Sequence, residues 1–334
     1  MAISIRRREF VLALGGAAAT WPMAARAQQP ERMPRIGMLW ILPDVDPQSI
    51  INREAFSRQF HQLGWRPGDN VRVDNRWAPN DVNLQRAYAA ELIGLSPDLI
   101  VAEGTPGLAA ARQATRTIPI IFVNVTDPVG QGFVESLARP GGNATGFTLY
   151  ESSMGGKWLE ILRELVPSVK KVELMFNPAM APYSGLYFRS IQSAAVTFGM
   201  EPMQLPIDNE SGLEVALSAL GQQPDSGLIV LLDAFTLSHR ALIIQQVVRY
   251  RIPAIYTIRQ FTESGGLISY GVDFANQYRQ AAVYADRILK GAKPAELPVQ
   301  QPTKFELAVN LKAAKANSIE VPTSILLRAD YVVE

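Results

Sequence analysis

The sequence predicts an α/β fold of buried parallel strands alternating with helices, laid out as two similar lobes. Short apolar runs bounded by breakers recur along it, as at Leu99-Ile100-Val101-Ala102 and Ile120-Ile121-Phe122-Val123. Runs of that length between Pro, Asp and Gly read as buried strands. Thr105-Pro106 stands between these two runs, a cap followed by the proline that suits a first helical turn. Two buried strands joined by a helix make a βαβ unit, which implies a parallel sheet covered on both faces. The second half then repeats the layout of the first. Pro97-Asp98-Leu99-Ile100-Val101 is echoed by Pro224-Asp225 and Leu228-Ile229-Val230, and Ile118-Pro119-Ile120-Ile121-Phe122 by Ile252-Pro253-Ala254-Ile255-Tyr256. Any two parallel sheets can produce such echoes, but their shared order suggests two like-built lobes and not a solenoid array.

The 334 residues suffice for two domains of ordinary size. Apolar content of 48% with 19% charged residues is that of a globular chain. A net charge of +1 gives no global basic field for nucleic acid. The absence of cysteine excludes disulfides, thiol catalysis and cysteine-ligated metal, and His61 and His239 are too few for a multi-histidine metal site.

Taken in order, the chain opens on Arg6-Arg7-Arg8-Glu9-Phe10, an Ala- and Gly-rich apolar stretch to Trp21, and Ala25-Arg26-Ala27. A positive start, an apolar middle and a small-residue exit predict a secretory signal over residues 1–27, and the arginine pair resembles a twin-arginine address. The alternative, an N-terminal membrane helix, needs a longer apolar stretch to span about 30 Å. Removing residues 1–27 leaves 28 basic and 30 acidic residues. The expectation is a soluble exported protein, cleaved near Ala27.

Strands are expected over 35–41, 71–77, 99–102, 120–123 and 144–149. The second of these alternates polar and apolar residues, as at a sheet edge. Between them Ser49 caps a helix to residue 63, a second helix spans 81–95, and a third follows Thr105-Pro106 to 115. Asp127-Pro128 repeats the cap-and-proline device and predicts a helix to 138. A new series follows after Pro167, with strands over 171–176, 203–207, 228–232, 252–256 and 267–270. Helices are expected over 156–165, 184–198, 213–220, 237–250 and 274–289. A strand over 304–311, a helix over 311–316 and a short end segment complete the chain.

Catalytic motifs are missing. No Gly-x-Gly-x-x-Gly follows a strand, no Walker A pattern occurs, and Ser269-Tyr270-Gly271 lacks the leading glycine of a nucleophile elbow. His61 and His239 read as exposed helix residues. What recurs is a polar or aromatic residue at a strand's carboxyl end: Trp40, Gly104, Thr105, Thr126, Asp127, Asn177, Asp233, Phe235 and Tyr256. In parallel sheets ligands bind beyond those ends. Two lobes facing each other there would enclose a small solute with a charged group and an apolar or aromatic body. A carboxylate suits the helix start after Gly104-Thr105, and Asp127 or Asp233 suits an ammonium. Both aspartates serve equally well as helix caps, and Trp40 and Tyr256 equally well as core residues.

Longer motifs point to a family. They are Pro97 to Val101 with Gly104-Thr105-Pro106, Ile118 to Val123, Asp127-Pro128-Val129-Gly130, Leu137 to Gly146, Arg251 to Tyr256, Gly265 to Gly271, Arg287 to Pro294, and Pro302 to Phe305. They resemble the ABC-transporter substrate-binding proteins related to tryptophan- and tyrosine-binding lipoproteins. The resemblance implies a type I periplasmic binding fold: two Rossmann-like, doubly wound lobes joined by a hinge of three crossings. By that analogy residues 34–147 with 272–293 form the N-terminal lobe and 148–271 with 294–334 the C-terminal lobe. The ligand loops fall at Trp40 to Asp44, Gly104-Thr105, Thr126-Asp127, Asn177 to Tyr183, Asp233 to Phe235 and Tyr256. Relatives often carry Ser or Gly where Trp40 stands, so their ligand does not transfer directly. No lipobox cysteine is present. The resemblance implies no catalysis and no cofactor. It implies a monomer that hands an aromatic or apolar amino acid, or a related carboxylate, to an inner-membrane permease from the periplasm. A periplasmic sensor feeding a membrane receptor is the alternative.

Overall fold

The structure is a computed structural model that describes residues 32–334; the expected signal segment at 1–27 lies outside the described residues. Five strands form the first sheet: β1 (Arg35–Trp40), β2 (Arg72–Trp77), β3 (Leu99–Glu103), β4 (Ile120–Val125) and β5 (Ala144–Thr148). All pair in parallel in the order β2-β1-β3-β4-β5. The apolar runs of β3 and β4 are wholly buried, as strands covered on both faces must be, while polar β2 lies half-exposed at the edge. Helices α2 (Val82–Gly94) and α3 (Gly104–Ala114) cover one face. The other is covered by α1 (Pro47–Gln62) and α10 (Phe274–Leu289), a helix that returns from late in the chain.

The second sheet has seven strands in the order β12-β11-β10-β9-β8-β6-β7. Here β6 is Lys171–Phe176, β7 Glu201–Pro206, β8 Ser226–Val230, β9 Ala254–Tyr256 and β10 Ile268–Val272; β11 (Phe305–Asn310) and β12 (Tyr331–Val333) extend it. β6 to β10 are parallel, and β11 runs antiparallel to β10. The path β7-β6-β8-β9-β10 repeats β2-β1-β3-β4-β5, so the sequence echoes between the halves reflect one topology used twice. Each path reverses direction beside its first strand, at β1/β3 and at β6/β8, which opens a crevice beyond the carboxyl ends there.

Several expected elements form differently. Asp46, not Ser49, caps α1: its carboxylate accepts from Gln48 N at 2.8 Å, Pro47 takes the first helical position, and Ser49 is buried. Thr105 does not cap α3, which starts a residue earlier; its hydroxyl instead accepts from Thr126 N at 3.3 Å. Residues 128–138 form no helix. Asp127 sits at φ +43°, its carboxylate accepts from Gly130 N, and Gly132 lies at φ +71°, so the chain turns where a helix would need right-handed backbone. The helix expected over 237–250 breaks at His239 into α7 (Ala234–Ser238) and α8 (Arg240–Arg249).

The chain passes from the first sheet to the second after β5, returns after β10, and passes over again before β11. The last passage comes later than the expected boundary at 294. Leu297 and Val299 are buried in the cores of the first sheet, and Gln300 N donates to Gly146 O at 2.8 Å, so this segment belongs with β5.

Candidate functional site

The two crevices face each other. A narrow cavity of about 30 Å³ lies between them, lined from both sheets. The first sheet supplies Ile41 and Leu42 after β1, Glu103 to Pro106 after β3, and Asn124 at the end of β4. The second supplies Met180 and Tyr183 after β6 and Leu232, Asp233, Ala234 and Leu237 after β8, while Leu149 comes from the passage after β5 and Phe274 from the start of α10. The lining is mainly apolar, with two carboxyl groups and no lysine, arginine or histidine.

Glu103 is 4% exposed. Its carboxylate accepts from Ile41 N at 3.1 Å and from Asn52 Nδ2 at 3.3 Å, and Asn52 in turn accepts from Gln48 Nε2 at 2.6 Å. The Tyr278 hydroxyl lies beside the same carboxyl without closing a hydrogen bond of standard geometry. Burial raises the Glu103 pKa, against the pull of these donors. Asp233 is held more tightly. One carboxylate oxygen accepts from Asn177 N at 2.8 Å and the other from Thr236 N at 2.8 Å, and the Thr236 hydroxyl accepts from Asp233 N, which closes a reciprocal cap on α7. Burial nonetheless pushes Asp233 up to about 7.

Of the residues expected at the ligand, Gly104, Thr105, Tyr183 and Asp233 line this cavity. Thr126 and Asp127 line a different, wider and more polar one of about 370 Å³, bounded by Thr148, Tyr150 to Ser152 and Gln301 on the chain passages. Trp40 lies in the core: it stacks on Tyr278 at 5.5 Å and its indole N–H donates to Asn75 Oδ1 at 2.9 Å. Its side chain points along the face of the sheet covered by α1 and α10, so it offers no stacking wall to a ligand. Tyr256 is buried too, stacked on Phe261 at 4.7 Å. Phe235 packs on the His239 ring at 4.2 Å, leaving the wall to its neighbours Ala234 and Leu237. Asn177 organises a loop: its Oδ1 accepts from Ala179 N and Met180 N and its Nδ2 donates to Ile207 O, which positions Met180 and Tyr183. The sequence reading missed Glu103 and Asn124. An acid closing an apolar run just before Gly104 was the available signal for the first, and for the second the polar residue directly after the run Ile120 to Val123.

Residues 47–333 match the family model described as ABC transporter substrate binding protein. The chain belongs to this family of ABC transporter substrate-binding proteins. The family is non-enzymatic and typically extracytoplasmic, and its members bind small molecules in association with an ABC transporter. Over 264 residues, 79% of this chain and 75% of the relative, it is 30% identical to a tyrosine-binding protein of Clostridioides difficile strain R20291. Its fold matches an ABC domain in complex with L-Trp from Streptococcus pneumonia, with a TM-score of 0.82 at 22% identity over 90% of this chain and 99% of that one. It also matches a ligand-free, open substrate-binding protein with adhesive properties from Clostridium difficile, with a TM-score of 0.66 at 26% identity over 90% and 99% of the two chains.

In this substrate-binding protein the two halves touch across the cavity. Leu42, from the loop after β1, is buried in the core of the second sheet. The Thr126 hydroxyl lies 3.2 Å from that of Tyr187 on α5 (Ser184–Phe198). Arg240 Nη1 meets Asp46 Oδ2 at 2.6 Å. These contacts hold the facing loops together and narrow the cavity between them.

Proposed function

We propose that this protein is exported, captures an aromatic or apolar amino acid between its two halves, and delivers it to an ABC permease of the inner membrane. The observation that carries this reading is the cavity at the facing crevices, walled by Ile41, Leu42, Leu149, Met180, Leu232, Leu237 and Phe274 and carrying Glu103 and Asp233. Apolar walls take up a side chain, and a few fixed polar groups orient the charged end. The tyrosine-binding relative and the structure solved with L-Trp support an aromatic side chain.

Gly104, Thr105, Tyr183 and Asp233 serve as ligand-facing residues in this reading, and Thr126 and Asp127 act at the edge of the cleft. The halves act as lobes, residues 34–147 with 272–300 and the remainder, that close on the solute as a monomer. A permease can read closure because the ligand binds the closed form better than the open one. The charged, apolar and small-residue segments before residue 28 support export, with cleavage near Ala27 into the periplasm.

Two measurements test the reading: mass spectrometry of the solute that co-purifies under native conditions, and calorimetry with tyrosine, tryptophan, phenylalanine and the branched amino acids. A micromolar or tighter dissociation constant for an aromatic member, about −8 kcal/mol, is expected. Failure of every member to bind, with a sugar or polyol as the co-purified solute, would overturn it.

A further inference from the structure

The two acids in the cavity are not equivalent. Both Asp233 oxygens are taken by backbone N–H groups at 2.8 Å, so this side chain caps α7 and ties it to the loop after β6. Glu103 is held by longer contacts of 3.1 and 3.3 Å, within a chain that runs from Gln48 through Asn52. Both acids keep acceptor positions, since an ionised carboxylate has about four, but the longer contacts leave Glu103 the one less well satisfied by the protein and so the better partner for a strong further donor. A second acceptor stands in the same wall. Asn124 is 7% exposed, and its Oδ1 is buried with no hydrogen-bond partner. A buried carbonyl left unpaired is costly, so a carboxamide left this way in a ligand cavity is explained if the ligand completes it. The backbone supports the same view: Asn124 adopts φ +61°, a left-handed conformation that Asn tolerates better than most residues and that turns its side chain out of the strand register.

Glu103 and Asn124 end adjacent strands, β3 and β4, of the same sheet. One is an anionic acceptor and the other an unpaired neutral acceptor, in a cavity whose lining has no cationic side chain. The matching ligand group carries several N–H donors and a positive charge, which describes an ammonium with its three donors. We propose that Glu103 and Asn124 form the amine anchor of this protein, so that it selects α-amino acids over the corresponding deaminated acids, with Asn52 as a positioning residue. This rests on the reading of the cavity as a solute site and adds which group of the solute the first sheet grips. It also moves the ammonium contact away from Asp127 and Asp233. A bound ammonium offsets the cost of burying the Glu103 charge, and the raised pKa of that carboxyl in the empty cavity is the counterpart.

The test is calorimetry on the ligand-stripped protein with matched pairs: L-tyrosine and 3-(4-hydroxyphenyl)propionate, L-tryptophan and indole-3-propionate, L-leucine and 4-methylpentanoate. The wild type is expected to favour the amino acid of a bound pair by about 100-fold, the worth of a charge-assisted contact in a buried site. Glu103→Gln keeps the shape of the side chain and removes its charge. Asn124→Gly keeps the left-handed backbone and removes the carboxamide. Each is expected to cut the preference by about tenfold or more while changing affinity for the deaminated acid by less than about threefold. Because the readout is a ratio between two ligands, a general loss of packing in either variant leaves it unmoved. A preference retained in both variants, or a wild type that binds the deaminated acid as well as the amino acid, overturns the anchor and leaves the solute-binding reading standing. Binding of the leucine pair alone, with the expected preference, supports the anchor and overturns only the aromatic assignment. Binding of no amino acid overturns both.

Discussion

Asp233 shows how one side chain can read as a ligand contact in the sequence and serve as a structural cap in the fold. An aspartate after a fully apolar strand suits either role, and what decides is which donors reach it. Here the backbone N–H groups of Asn177 and Thr236 arrive first. Burial raises its pKa to about 7 in the folded protein, above the ordinary value of 3.8. The folded state therefore holds this proton more tightly than the unfolded chain does. The resulting stability is fully present below about pH 4 and is lost as pH rises toward 7, with a limiting slope of about 1.4 kcal/mol per pH unit. Asn at this position has no such titration. The stability difference between wild type and Asp233→Asn, from urea unfolding at several pH values, is expected to shift against the wild type between pH 4 and 7. A difference that stays flat across that window would show that the backbone donors cancel the burial.

Among the elements, β4 and β5 carry a constraint that the hydrophobic pattern does not announce. Gly146 lies at φ +153°, and a Cβ built there would stand 2.0 Å from the Phe122 carbonyl oxygen of the paired strand. The register between the two strands shifts just beyond, between Phe122 and Val125, where Asn124 turns over. Gly146→Ala is expected to cost about 2–3 kcal/mol, because backbone cannot yield as a side-chain tip can. Gly94→Ala, at the exposed end of α2 where a Cβ meets nothing within 4 Å, is expected to be neutral or to stabilise by up to about 1 kcal/mol. Urea midpoints of the two variants make the comparison. Most strands were legible because runs such as Leu99 to Ala102 and Leu228 to Val230 can only be buried on both faces. The segment after Asp127 departs from expectation because a cap followed by proline starts a turn as readily as a helix, and two nearby glycines, Gly130 and Gly132, tip the balance. The cavity was half legible for a related reason. Pattern marks the strand ends, but whether a side chain there turns to the ligand or to the core depends on its neighbours. Trp40 found Tyr278 and Asn75, and Tyr256 found Phe261, all from elements remote in sequence or invisible to periodicity.

At the scale of the whole molecule, the two halves meet through an ion pair placed at the edge of the cavity. Asp46 is 8% and Arg240 15% exposed in their side chains, and they approach to 2.6 Å. Each is also anchored at home: Asp46 caps α1 through Gln48 N, and Arg240 donates to Leu237 O at 3.1 Å. Neither side chain needs to be ordered when the halves meet, so the entropy that cancels most surface ion pairs is already spent. Partial burial strengthens the attraction, and removing one partner leaves the other charge uncompensated. If the halves close on a solute, this pair stabilises the closed form and not the open one. Its loss then acts on opening, after the ligand is in place. Arg240→Gln is expected to raise the dissociation rate of the bound amino acid about tenfold, equivalent to about 1.4 kcal/mol, with association changed by less than about threefold. Stopped-flow tryptophan or tyrosine fluorescence measures both rates. Arg240→Lys, which keeps the charge but shortens the reach, should fall between the two. Charge across the cleft then controls how long the solute stays, whereas Glu103 and Asn124 control which solute enters. Equal dissociation rates in wild type and Arg240→Gln would place the holding force in Leu42 and the Thr126–Tyr187 contact instead.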